Sequence, residues 1–485
     1  MGFAGLFVVF RKIFVMRNIE KFSNVCYAKE NNKRRNFIMR EVRVNFSECT
    51  GKVKPMHAVN NGPVYKFAAD QRITNMDAYK AAGIPYARNH DASFLSTYGG
   101  EHTVDVNFIF PDFDKDPYDP TSYDFLLTDE YIKVTEYAGT KTFYRLGTKI
   151  EHWPKKYNII PPKDFKKWAV ICEHIIRHYT EGWADGFNYD IEYWEIWNEP
   201  DLWSDETHPS PTWSGTEEQF FELYDVAATH LKNCFPHLKI GGPAAAGNLQ
   251  WCDRFLAQLK APLDFFSWHR YAYEPEFITK NMREFREMLD KHGFTETESI
   301  LNEWNYVKGW TGDDWLYSMR QEINMKGAAF IAAVQSEGQR EALDMLMYYD
   351  ARPCNMNGMF GPLVCDIRKG YYPFYAFNVL YKLGKAYKTE DGNEMYAVAA
   401  KNGNEAAIIV TRFTDDDNAP DDKCIINVEG LNCVADTEVY LLDDEHDLEL
   451  VRCETFTGDK FGQILNFSRN SMYLIKLKLH DDITA

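Results

Sequence analysis

The 485-residue sequence is poor in thiols, short of basic charge and empty of phosphate-cradling glycine loops. Its ten cysteines include no CxxC pair, which removes the zinc ribbon and the thioredoxin-like motif and fits the reduced thiols of a cytoplasm. Neither GxGxxG nor GxxxxGK[ST] occurs, so no dinucleotide or P-loop fingerprint is available to an open doubly wound sheet. HExxH is missing too, and with it the usual zinc-peptidase helix. Lys plus Arg number 54 against 72 Asp plus Glu, a net charge of −18 that suits neither a nucleic acid nor an anionic membrane partner. The apolar run GFAGLFVVF is halted by Arg11 and Lys12, far too early for stable membrane insertion. An apolar content of 45% excludes a disordered or fibrous chain.

Aromatic residues are plentiful, at 15% of the chain with 29 Tyr, 33 Phe and 12 Trp. They serve either a large aromatic core or a site that stacks the flat faces of sugars, and composition does not separate the two. The length allows two or three domains, although a single α/β barrel takes about 250 to 400 residues. Residues 1–38 hold eight Lys/Arg and two Asp/Glu, a local excess of six positive charges. This stretch reads as a poorly ordered basic extension, with Met39 opening the well-patterned part. A weak export or membrane signal is the other reading, but no basic segment precedes its apolar run and no clean small-residue cleavage site follows. The expected location is therefore cytoplasmic.

From Met39 onward, apolar runs alternate with amphipathic stretches, the mark of repeated βα units. Eight strands are expected: 54–60, 84–90, 141–147, 191–198, 238–243, 263–270, 299–305 and 344–350. Between them, 162–180 and 216–234 carry helical spacing, the second opening on Thr216 and Gln219 in capping-box positions. The pattern predicts a (β/α)8 TIM barrel over 50–385. Beyond it, 405–413, 423–430, 437–443 and 471–479 are strand-like, and 41–49 plus 386–485 are expected to form an accessory antiparallel β-sandwich. The acidic run DDDNAPDD (415–422) lacks EF-hand spacing and reads as a solvated loop.

A barrel of this kind places chemistry at the C-terminal ends of its strands. There the fourth strand offers Asn198 and Glu199 in WEIWNEPD, and the seventh offers Glu303 in LNEWNY. The second ends in Arg88 and His90, the sixth in His269 and Tyr271, the eighth in Tyr349 and Asp350; His57, on the first, joins the candidate substrate-binding set. Two carboxylates facing across a cleft suit glycoside hydrolysis, one protonated for the leaving group and the other ionised for attack. Such a pair performs the reaction with no metal and no organic cofactor.

These motifs resemble the clan A glycoside hydrolases and, more narrowly, family thirty-nine, the β-xylosidase and α-L-iduronidase family. WEIWNEPDLW resembles the acid/base motif, SWHRYAY the His-x-Tyr motif of strand six, and ARNHD the Arg-x-His motif of strand two. The resemblance implies that Glu199 is general acid then base, and that Glu303 is the nucleophile of a retaining double displacement. It implies that Asn198 bonds the 2-hydroxyl, that Arg88 holds Glu303 ionised, and that His90, His269 and Tyr271 line the subsite. Asp91 departs from the family, whose members often carry Gly there; it would reach a sugar hydroxyl or pair with Arg88.

Trp203, just past Glu199, is the better candidate platform for a sugar face, and Trp197, Trp304 and Trp310 serve that role or simply pack. His174 and His178 have ligand-like spacing but belong to an outer helix, where a structural role is expected. The acidic segment 110–120 reads as a loop near the substrate mouth. The expectation is a retaining, exo-acting β-xylosidase taking an oligosaccharide or glycoside. Its alternatives are the same chemistry on an arabinoside, galactoside, glucoside or uronide, the last needing Lys149 or Arg270 at the C5 substituent, and a non-catalytic carbohydrate-binding protein. Association into a homo-oligomer stays open.

Overall fold

A computed structural model describes residues 39–480 apart from 68–72, 92–101, 152–153, 203–209, 354–355 and 357. Contacts divide the chain into 1–38 and 39–485, and the expected basic extension lies outside the described residues. In chain order the elements begin with β1 (Arg40–Lys52), β2 (Ala58–Asn60), α1 (Met76–Ala81), β3 (Tyr86–Arg88), α2 (Val106–Ile109), α3 (Leu126–Tyr137), β4 (Lys141–Leu146) and α4 (Phe165–Thr180). They continue with β5 (Tyr193–Ile196), α5 (Glu217–Cys234), β6 (Lys239–Ala245), α6 (Leu249–Gln258), β7 (Phe265–Ala272), α7 (Pro275–Lys291) and β8 (Glu298–Tyr306). After α8 (Gly312–Glu322), α9 (Met325–Arg340), β9 (Met345–Tyr348) and α10 (Tyr371–Leu383) come β10 (Lys385–Glu390), β11 (Met395–Asn402), β12 (Glu405–Arg412), β13 (Asp422–Leu442), β14 (Asp447–Phe467) and β15 (Ser471–His480).

Strands β2 to β9 close into an all-parallel barrel, one for each of the eight expected runs. Short local signals start the surrounding helices. Asp164 accepts from the backbone N–H groups of Lys166 and Lys167 at the head of α4, and Thr216 and Gln219 form the reciprocal box on α5. Alternation along each strand sorts the side chains into two layers. Ala58, Phe143, Tyr193, Phe265, Ile300, Met345 and Met347 form an apolar cluster of their own. Successive residues such as Trp194 and Leu301 join the large core shared with the helices.

The last strands form one sheet in the order β1-β10-β11-β12-β15-β13-β14, and β1 also pairs with β13. The sheet thus returns to its first strand and encloses a second core that includes Val42, Val44, Ile408, Ile426 and Ile475. The β1–β13 pairing is parallel, unlike the wholly antiparallel sandwich expected. Strand β13 changes partner along its length: Cys424–Glu429 lie beside β1, and after a slip at Glu429/Cys433, Val434–Leu442 lie beside β15. Helices α9 and α10 pack against β11 and β12.

The acidic run 415–422 is not simply a solvated loop. Asp415 accepts from Tyr306 Oη at 2.5 Å and pairs with Lys308 at 2.7 Å and the buried Lys326 at 3.3 Å. Asp417 pairs with the same Lys326 at 2.8 Å. Two of the carboxylates therefore tie the sheet to the barrel. The acidic segment 110–120 lies partly against α4, with Tyr118 edge-on to His174 at 5.2 Å, and is not part of the lining of the cavity at the barrel mouth.

Candidate active site

Strained backbone presents the first carboxylate. Trp197 and Glu199 both have left-handed φ, +77° and +48°, where side-chain-bearing residues are strained. Bonds on either side hold them there. Trp197 N donates to Leu146 O at 2.7 Å, Glu199 N donates to Ala244 O at 2.9 Å, and Thr212 Oγ1 donates to Glu199 O at 2.6 Å. Gly147 faces Trp197 across this turn, where an added Cβ would meet the Trp197 Cα at 3.0 Å. Trp197 itself is core, 2% exposed, and its Nε1 donates to Thr212 O at 3.1 Å.

The second carboxylate depends on a bulge. Pairing between β7 and β8 advances from Trp268/Leu301 to His269/Glu303, so Asn302 is the extra residue. Without that slip, alternation would turn Asn302 and Glu303 to opposite faces. With it, both point inward, Asn302 to Glu195 at 2.5 Å and Glu303 to Arg88 at 2.8 Å.

Arg88 is the hub. Fully buried, it donates to Glu195 Oε2 at 2.6 Å, Glu303 Oε1 at 2.8 Å, Asn198 Oδ1 at 2.7 Å and Asn60 Oδ1 at 3.1 Å. Tyr271 Oη donates to Glu303 Oε2 at 2.9 Å. His269 Nδ1 stands 2.7 Å from Glu199 Oε1 and 3.4 Å from Glu303 Oε2, and His90 Nε2 stands 3.7 Å from Glu303 Oε1. Oxygens of the two carboxylates and that histidine nitrogen all lie within 4.8 Å of one another.

The two acids have unequal surroundings. Burial pushes the Glu199 carboxyl up to about 7, opposed only by Arg88. Burial also raises Glu303, but His269, Arg88 and the Tyr271 hydroxyl pull against the rise. Burial lowers His269 to about 4 and His90 well below its ordinary value, so both rings are neutral near pH 7. Glu199 Oε2, Asn198 Nδ2 and His269 Nε2 are buried without a hydrogen-bond partner. Each is a polar atom ready for a ligand group.

Glu199, Glu303, His269, Tyr271 and His90 line a cavity of about 490 Å3 that also includes Asp91, Lys149, Tyr349 and, at its exposed margin, Trp310 and Arg270. Of the residues expected from sequence, Arg88, Asn198, Glu199, His269, Tyr271, Glu303 and His90 come together here. Trp203 falls outside the described residues. His57 does not belong to the site: it precedes the short β2, is 0% exposed, and packs on Tyr381 and Phe377 of α10 at 4.9 and 5.5 Å. Burial lowers it to about 3. Trp304 is core, while Trp310 stands edge-on to Tyr271 at 5.0 Å.

Asp91 pairs with Lys149 at 3.2 Å and Arg352 at 3.4 Å. These two cations take the place expected for Arg88, which pairs instead with Glu195 and Glu303. His178 is structural, 2.8 Å from Trp183 O and 3.0 Å from Asp129.

Glu195, Asn60, Ser267 and Asn302 support the site yet escaped the sequence reading. Asp201 did too; it accepts from Ala246 N and Asn248 N at 2.6 and 2.9 Å, and burial raises it to about 6. The one signal available for Glu195 was a carboxylate in phase with the inward face of an apolar strand. Among the described residues, Glu173, His230 and Cys234 also converge within 4.8 Å, but on the outer helices α4 and α5. No helix among the described residues is long and apolar enough to cross a membrane.

Residues 35–339 match the profile of glycosyl hydrolases family 39. A β-xylosidase from Geobacillus stearothermophilus is 27% identical over 292 residues, 52% of this chain and 53% of that protein. A β-xylosidase from Caldicellulosiruptor saccharolyticus is 32% identical over 183 residues, 34% of each. The chain thus spans about half the length of the first of these relatives and a third of the second. The crystal structure of a glucosidase from Croceicoccus marinus superposes with a TM-score of 0.74 at 21% identity, covering 91% of this chain and 99% of that one. That likeness is one of fold.

Proposed function

This chain belongs to glycosyl hydrolase family 39, and we propose that it is a retaining, exo-acting β-xylosidase. The observation that carries the reading is the Glu199–Glu303 pair, with oxygens within 4.8 Å across one cavity and unequal surroundings. Retaining glycosidases hold their carboxyl groups about 5 to 5.5 Å apart, too close to seat a water between nucleophile and sugar.

Glu303, gripped at one oxygen by Arg88 and at the other by Tyr271, attacks the anomeric carbon and forms a glycosyl-enzyme. Glu199, its carboxyl held up to about 7 by burial, gives its proton to the departing oxygen. The ionised Glu199 then takes a proton from water, which attacks the same face and releases the sugar with its configuration retained. Asn198 Nδ2, buried without a partner, donates to the 2-hydroxyl as charge develops at the ring. A cavity of about 490 Å3 suits a chain end, and two sequence relatives bear the name β-xylosidase. Among the described residues Cys49, Cys172, Cys234, Cys252, Cys365, Cys424 and Cys453 are free thiols, which supports a reducing compartment.

The test is release of nitrophenol from a panel of aryl glycosides by the wild type, Glu199→Ala and Glu303→Ala, with and without azide. The expected result is cleavage of the β-xyloside, with azide giving a β-azide product from Glu199→Ala and the inverted α-azide from Glu303→Ala. Turnover of every other glycoside but not the xyloside sinks the specificity. An inverted product from the wild type sinks the mechanism.

A further inference from the structure

We propose that Asp91 and Lys149 form a fork for the 3- and 4-hydroxyls of the non-reducing sugar, so that the site takes a neutral pyranoside and refuses a uronide. The inference rests on the glycosidase reading above and deepens it.

The placement comes first. Asp91 follows His90, whose Nε2 is 3.7 Å from the nucleophile Glu303, and Lys149 follows β4 with its Nζ 3.2 Å from Asp91 Oδ1. Both line the catalytic cavity, at 1% and 3% exposure. A sugar there is fixed at C1 by the two carboxylates and at its 2-hydroxyl by Asn198. Its remaining ring hydroxyls then run past His90 toward Asp91 and Lys149.

The chemistry suits hydroxyls. A carboxylate has about four acceptor positions and can receive two neighbouring O–H groups, while an ammonium donates to the same oxygens. Asp91 already receives Tyr349 Oη on Oδ2 at 2.9 Å, with Arg352 3.4 Å from that same oxygen, leaving capacity on Oδ1 beside Lys149. Burial alone would raise its carboxyl, but Arg352, Lys149 and the Tyr349 hydroxyl hold it well below the usual range, so it is an acceptor at working pH.

The charge argues against a uronide. Lys149 and Arg352 are the cations at this end, and Asp91 spans both; Asp350 faces Arg352 as well, at 3.3 Å. A sugar carboxylate would enter beside Asp91 against cations already matched, and like charges in a buried site repel strongly. Arg270, the other expected uronide partner, is exposed at the margin. The side chain of Asp91 thus narrows the pocket and gives it an acceptor.

The experiment compares kcat/KM for nitrophenyl β-xyloside, its 3-deoxy and 4-deoxy analogues and the β-glucuronide, in the wild type, Asp91→Asn and Lys149→Met. The wild type should prefer the xyloside over each deoxy analogue by on the order of 100-fold and leave the glucuronide at background. In both variants that preference should shrink to about tenfold or less, because the parent substrate loses the contact the analogues never had. Equal losses on parent and analogues would make the pair purely structural and overturn the proposal, as would a preferred glucuronide. Thermal unfolding identifies a variant that does not fold, and the other then decides.

Calorimetric titration of Glu199→Gln with xylose and 4-deoxyxylose separates this idea from the function it rests on. Weaker binding of the deoxy sugar, with no xyloside cleaved by the wild type, sinks the xylosidase reading and keeps the fork. Equal binding, or none of either, sinks the fork.

Discussion

Arg88 Nη2 donates to the Asn198 side-chain carbonyl at 2.7 Å, and that bond fixes the orientation of the amide. The Nδ2 group is left without a partner, as a donor. Replacing Asn198 by Ala should lower kcat/KM on a xyloside about 100-fold, the scale of a hydrogen bond that tightens as charge develops. On the matching 2-deoxy glycoside the change should be within about threefold, since the partner hydroxyl is already gone. Equal losses on both substrates would show that the amide acts only through Arg88.

The acid's environment sets a pH limit. In its proposed role Glu199 must be protonated, and burial holds it up to about 7. Activity should fall about tenfold per unit as pH rises beyond 7, and this limb should vanish in Glu199→Gln assayed with a leaving group that needs no proton. Stability follows the same sign. The folded value lies above the ordinary 4.5, so the benefit of the protonated form is complete below 4.5 and is lost as pH rises through 7. Glu199→Gln is neutral throughout, and should exceed the wild type by up to about 3 kcal/mol at about pH 8.5 but little at about pH 5. A pH-independent difference in Tm would contradict this.

Glu195 makes no contact with the cavity, yet it takes Arg88 at 2.6 Å, Ser267 Oγ at 2.6 Å and Asn302 Nδ2 at 2.5 Å at 0% exposure. Glu195→Gln leaves the buried guanidinium short of compensation, which should destabilise the fold by about 3 to 5 kcal/mol. Because Arg88 also grips Glu303, kcat should drop while KM changes little. Denaturant unfolding with initial rates checks both, and wild-type kcat in the folded variant would detach Glu195 from the chemistry.

Asp415 is tested by a double-mutant cycle. Asp415→Ala strips Tyr306 and Lys308 of a partner and weakens the hold on Lys326, whose side chain is 3% exposed. A loss of about 2 to 4 kcal/mol is expected, and Lys326→Met should recover part of it by removing the uncompensated charge. Additive losses would mean that the two groups do not share one interaction.

All eight barrel strands were legible because each joins an apolar run to a polar terminus, and the α5 cap was legible because Thr216 and Gln219 act within one turn. The proposed catalytic pair was equally plain, as Glu199 stands against Pro200 at a strand end. What escaped notice depends on three-dimensional partners. Glu195 sits between Trp194 and Ile196, where an apolar neighbourhood hides a carboxylate bound to groups on other strands. The Asn302 bulge exists only as a register against β7. His57 was expected on strand 54–60, but β2 is confined to Ala58–Asn60 and His57 precedes it, away from the strand end that faces the site. The run 415–422 looked solvated because Lys326, its cation, lies inside a helix far away in sequence.

The doubled pairing of β1 has a consequence in time. Arg40 and Asp422, 382 positions apart, are hydrogen bonded, and β1 has its neighbours in β10 and β13. On the ribosome this strand emerges early, and its partners do not exist until the whole barrel has been synthesised. Chains fold unit by unit as they appear, so the barrel closes first while β1 waits with both edges open. Joining strands so distant in sequence is slow, because the loop entropy is lost before any contact repays it. The slowest and most aggregation-exposed moment in the life of this chain is therefore the last one, when its sheet encircles the strand made at the start.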